Sequence, residues 1–108
     1  MTKSQKDELA RRVADLRTAF DLALSDKRKY PVQEFQAFVN GVRRYIEVTA
    51  DDPVIHKNVV RAVNGLREFL EVERKRVPGS ILFEADRLEC QLFCGYDPKF
   101  EGDEPPGL

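Results

Sequence analysis

VNGVRRYIEV, residues 39–48, and VNGLREFLEV, residues 63–72, say nearly the same thing 24 positions apart. Six of the ten positions are identical, and three more exchange like for like: Val42 with Leu66, Tyr45 with Phe69, Ile46 with Leu70. Each copy carries Asn-Gly, the strongest short signal for a β-hairpin turn when alternating strands flank it. The flanks here do not alternate. Val32, Phe35, Val39, Val42, Ile46 and Thr49 keep a spacing of 3, 4, 3, 4, 3, which is one face of a helix. Helix is therefore expected through both copies, and that expectation sets the fold class.

The glycines then need a reason, since a mid-helix glycine costs up to about 1 kcal/mol relative to alanine. On a helical wheel with Val42 at zero, Gly41 falls at about 260° and Tyr45 at about 300°, on the flank of the apolar stripe. Gly65 and Phe69 take the same places in the second copy. The expectation is a packing role, either close approach of a neighbouring helix or room for a ring. The similarity itself reads as a duplicated helix or as twin packing constraints. A fainter echo, VADLRTAFDL at residues 13–22, lacks the glycine. The period is too short for the common two-helix solenoids.

Working outward, Leu9, Val13, Leu16, Phe20 and Ala23 mark a first helix over about residues 3–27, capped by Thr2 with Gln5 or Ser4 with Asp7. The second helix, about 31–49, opens at Pro31, a favoured first helical position. The third, about 52–77, is expected to start at Asp51 or Asp52 with Pro53, and to carry Ile55, Val59, Val63, Leu66 and Phe69 or Leu70 inward. The fourth runs over about 80–94 and stops at Gly95. Residues 95–108, GYDPKFEGDEPPGL, hold three prolines and three glycines, which excludes regular structure. The sequence thus predicts an all-α, four-helix, single-domain bundle over 1–95, mostly antiparallel because its links are short, with an irregular acidic tail over 96–108.

Composition narrows the function classes. Residues 1–83 carry 16 basic and 12 acidic side chains, a balance of +4, while residues 84–108 carry 2 basic and 7 acidic, a balance of −5. So small and scattered a basic excess disfavours nucleic acid as a partner. No apolar run approaches a membrane span, and the opening MTKSQKDELARR lacks a signal-peptide core, so a cytoplasmic location is expected.

Chemistry is sparsely signalled. The single histidine, His56, excludes a di-iron bundle built on paired Glu-x-x-His motifs, and it is expected at the surface or half-buried beside the core stripe. Cys90 and Cys94, the only cysteines, are too few for a structural zinc site. Their place in the last turns of a helix is the wrong end of the dipole for a thiolate. In an α-helix the pair is also poorly set for a disulfide. Asp51 with Asp52 suits capping, and Glu71 with Glu73, two apart on a helix, cannot converge on one substrate. No phosphate loop, dinucleotide fingerprint or nucleophile elbow is present. No catalytic residue, metal or cofactor is assigned.

One feature is left over. Ile81, Ala85, Leu88 and Leu92 give the fourth helix an ordinary stripe, yet Phe83, Cys90 and Cys94 fall on the opposite face, with Leu82 and Phe93 to one side. A helix apolar nearly all round is covered on both sides. Either the tail folds back through Tyr96 and Phe100, or another protein covers that face. The expected function is a non-enzymatic interaction module, self-associating or binding a protein partner through Phe83, Cys90, Phe93, Cys94, Tyr96, Asp97 and Phe100. The rival is a ligand-binding or enzymatic bundle using Cys90, Cys94, His56 or carboxylates in a pocket between helices.

Overall fold

The computed structural model describes residues 2–25, 30–72 and 78–95. Among these the protein is all-α, with no strand: α1 (Lys3–Leu24), α2 (Val32–Val48), α3 (Lys57–Val63), α4 (Leu66–Val72), α5 (Gly79–Glu89) and a π turn (Cys90–Cys94). The four helical stretches of the expected bundle are present, the third broken in two. Residues 26–29 and 73–77, and the tail with Tyr96, Asp97 and Phe100, lie outside the described residues. The chain divides into two compact units, residues 1–62 and 63–108.

In the first unit, α1 opens with a reciprocal capping box. The Gln5 amide donates to Thr2 Oγ1 at 3.2 Å, and the Thr2 amide donates to Gln5 Oε1 at 2.9 Å, so two otherwise orphaned donors are satisfied. The buried residues of α1 are Ala10, Val13, Phe20 and Leu24, not the full expected stripe. Leu9, Leu16 and Ala23 are only half-buried. The buried stripe is rotated by about 50° from the expected one, and half-buried Arg17 lies along it.

The second helix buries Phe35, Phe38, Val39, Val42 and Tyr45, while Val32 is 54 % exposed. Its inward face has thus turned toward the flank that carries Gly41 and Tyr45. There α1 comes close: a Cβ on Gly41 would sit 2.5 Å from Leu16 Cδ1. Phe20 meets Phe35 edge-on at 5.5 Å and Tyr30 at 6.2 Å. The contacts advance along α1 as they retreat along α2, so the two helices make a hairpin.

The third stretch differs most from expectation. Neither aspartate caps it and Pro53 does not begin it; α3 starts at Lys57, and His56 supplies the carbonyl that accepts from the Val59 and Val60 amides at 3.1 Å each. The expected cap, Asp52, is engaged elsewhere: Lys6 Nζ donates to both its carboxylate oxygens, at 2.9 and 3.0 Å. Then, at Asn64-Gly65, the helix breaks. Gly65 has φ +74, the left-handed conformation that glycine enters without steric cost.

In the second unit, α4 packs on α5. Leu66, Leu70, Ile81, Ala85 and Leu88 are buried. The fourth helix was expected to stay α to residue 94, but from Cys90 it widens into the π turn. It stops, as the sequence indicates, at Gly95, with φ 75.

The twin glycines therefore answer differently to the same substitution. Gly65→Ala forces an L side chain into the left-handed region and should cost about 1–2 kcal/mol. Gly41→Ala gains up to about 1 kcal/mol of helix propensity and displaces only the movable end of Leu16, so its loss should be the smaller. Urea midpoints of the two variants check this; equal losses would contradict it.

Candidate functional site

Two places gather polar or exposed apolar groups that the core does not account for. The first surrounds His56. Its backbone amide donates to Tyr45 Oη at 3.0 Å, Nδ1 lies 2.7 Å from the same hydroxyl, and Nε2 lies 2.7 Å from Asp7 Oδ1. With the carboxylate ionised and the imidazole neutral, one arrangement satisfies every atom. Nε2–H donates to Asp7, the Tyr45 hydroxyl donates to Nδ1, and Tyr45 Oη accepts the His56 amide. The rings also meet edge-on at 5.6 Å.

A carboxylate–imidazole–hydroxyl chain is the arrangement by which hydroxyl nucleophiles are activated. Here it cannot serve that purpose. Tyr45 is wholly buried, its hydroxyl is occupied on both sides, and no substrate atom can approach it. The cluster is a clamp. Adjacent residues of α1, Lys6 and Asp7, hold Asp52 and His56, so the connection between α2 and α3 is fastened at two points. As the sequence indicates, His56 is half-buried; its partners, 11 and 49 positions away, have no sequence signature.

Arg17 makes a third fastening. Its Nη1 donates to the Ala62 carbonyl at 2.6 Å and its Nε to Asp21 Oδ1 at 3.0 Å. Ala62 belongs to the last turn of α3, whose carbonyls have no partner further along the helix. A guanidinium is suited to that end of a helix dipole.

Two grooves can be described in the first unit. One, about 580 Å³, lies along α1 and is lined by Leu9 and Leu16 with Glu8, Arg11, Arg12 and Asp15. The other, about 280 Å³, lies beside Arg17, Asn58 and Arg61. Neither His56 nor either cysteine lines them. Among the described residues no three metal-binding side chains gather, and no helix is long and apolar enough to cross a membrane.

The second place is the outward face of α5 and its π turn. Ile81, Ala85 and Leu88 are buried, whereas Phe83 and Phe93 are 47 % and 40 % exposed. Cys90 is half-buried and Cys94 exposed, and both are thiols. Tyr96, Asp97 and Phe100, expected to share this surface, lie outside the described residues.

No protein-family model matches the chain, and neither a curated protein nor a solved structure matches it.

The clamp makes a measurable claim. Tyr45→Phe leaves the His56 amide and Nδ1 without their partner and should cost about 1–3 kcal/mol. His56→Ala should cost a similar amount, and the double variant should lose less than the sum, by about 0.5 kcal/mol or more. Chemical denaturation of the four proteins tests it; additive losses would show that the hydroxyl and the imidazole do not act together.

Proposed function

We propose that this protein is a non-enzymatic helical interaction module that binds a second copy of itself through the outward face of α5 and its π turn. The observation that carries this reading is the exposure of Phe83 and Phe93 on a helix whose other face is already buried. Two aromatic side chains held about half in water are a standing cost, since burying a phenylalanine side chain contributes about 1.5–3 kcal/mol. Rigid aromatic groups of this kind commonly anchor interfaces.

Charge favours a second copy over an unrelated partner. Residues 1–83 have a balance of +4 and residues 84–108 a balance of −5, so each chain carries both halves of a complementary pair. In a two-fold contact each half meets its complement twice. Asp97, Glu101, Asp103 and Glu104 would supply the acidic part, and burial of Phe83, Phe93 and Tyr96 the apolar part. The rival, a ligand-binding or enzymatic bundle, has no comparable observation in its favour: the two grooves described hold neither His56 nor a cysteine.

Light scattering on the full chain, with reductant present, tests the proposal. The expected mass is that of a dimer at low salt, falling toward the monomer as salt is raised. Phe93→Ala should weaken association by about 2 kcal/mol or more if the ring is a central anchor, with an unchanged helical circular dichroism spectrum. A strictly monomeric full chain at every concentration would overturn the reading.

A further inference from the structure

The π turn changes what Cys90 and Cys94 can do to each other. In an α-helix, Cβ atoms four positions apart are about 5–6 Å from one another, whereas a disulfide holds them at about 3.5–4.5 Å. Regular α geometry therefore keeps such a pair apart. From Cys90 to Cys94 the chain instead follows a π ring, closed by i→i+5 hydrogen bonds. A π turn is wider than an α turn and climbs less per residue, which shortens an i, i+4 separation along the axis. The π element runs from the one cysteine to the other.

The end of the element removes the other obstacle. Gly95, with φ 75, terminates the helix directly after Cys94, so closing the pair does not drag a following helical turn with it. Exposure sets an order of events: Cys94 is exposed and Cys90 only half-buried.

We propose that Cys90 and Cys94 form a reversible redox dithiol that closes to an intrahelical disulfide with a low-molecular-weight disulfide as oxidant. The Cys94 thiolate attacks one sulfur of that oxidant and expels the other as a thiolate, which leaves a mixed disulfide on Cys94. The Cys90 thiolate then attacks Cys94 Sγ and expels the second small thiolate. In sum, the protein loses two protons and two electrons, one S–S bond forms, and the oxidant's S–S bond becomes two thiols. The expectation that an i, i+4 pair resists bridging is drawn from α geometry. Both sulfurs belong to one chain, so the bond itself needs no second copy.

The test uses the full chain with oxidised glutathione as the probe, followed by alkylation under denaturing conditions and mass measurement. The expected product is a monomer lighter by two hydrogens, with both alkylatable thiols lost, no glutathione retained, and the helical circular dichroism signal unchanged. Reductant should restore both thiols. In Cys90→Ser the reaction should stop with glutathione held on Cys94. Three results would overturn the proposal: glutathione retained on Cys94 of the unaltered chain beside an alkylatable Cys90, a disulfide joining two chains instead of one, or an internal disulfide that forms only with loss of helical signal.

Discussion

The hydroxyl of Tyr45 imposes the constraint from which much of the first unit follows. A buried hydroxyl left without partners costs about 1–3 kcal/mol, and Tyr45 is wholly buried. Its partners come from one residue, His56, which offers both a ring nitrogen and a backbone amide. His56 turns both groups toward Tyr45 from the position just before α3, which starts at Lys57. Asp7 then fixes the imidazole from α1. One buried oxygen thus couples the start of α1, the end of α2 and the start of α3. It also explains why the Asp-Asp-Pro signal for a helix start fails: Asp52, the natural cap, is held by Lys6 instead.

The repeated decapeptide shows how little a local motif determines alone. Asn40-Gly41 and Asn64-Gly65 each follow a valine and precede an aliphatic residue, yet the first pair lies within a continuous helix and the second ends one. The difference lies in what faces them. At Gly41 the α1 side chain of Leu16 fills the space a Cβ would need, and close packing holds the helix together. At Gly65 nothing lies within 4 Å of that position. The break leaves carbonyls at the end of α3, and Arg17 takes one of them. A glycine permits both outcomes, and the surroundings select between them.

These contrasts set how far the sequence could be read. The all-α class, α1 with its Thr2 cap, α2 and the stop at Gly95 follow from apolar spacing and capping residues, which act over one or two turns. Legibility ended where a distant group overrode a local one. In α1, spacing alone turns the stripe away from Arg17, because a charged residue reads as a surface position until its acceptor, the Ala62 carbonyl, is known. Tyr45 was set on the flank of its helix because the partner that pulls its hydroxyl inward lies 11 residues away. For α5, the spare apolar face was visible in the spacing of Phe83 and Phe93. The π turn was not, because a wheel drawn at the α-helical angle assumes the geometry that is lost there.

That lost geometry is the last physical link. A π ring has poorer economy than α, and such turns persist chiefly where they are tolerated by position or serve a site. Here it occupies the final turn of α5, bounded by a left-handed glycine, and it encloses no buried residue. Core packing therefore gives no reason for it: the buried residues of α5 end at Leu88, before the ring begins. What the ring does determine is the mutual position of two thiols and the direction of Phe93 between them. In an α-helical ending, Cys90 and Cys94 would belong to successive turns and Phe93 to the side of the helix. Beyond the buried residues of α5, two thiols and an exposed aromatic ring thus share one short element, so closing the dithiol would bear on the setting of Phe93.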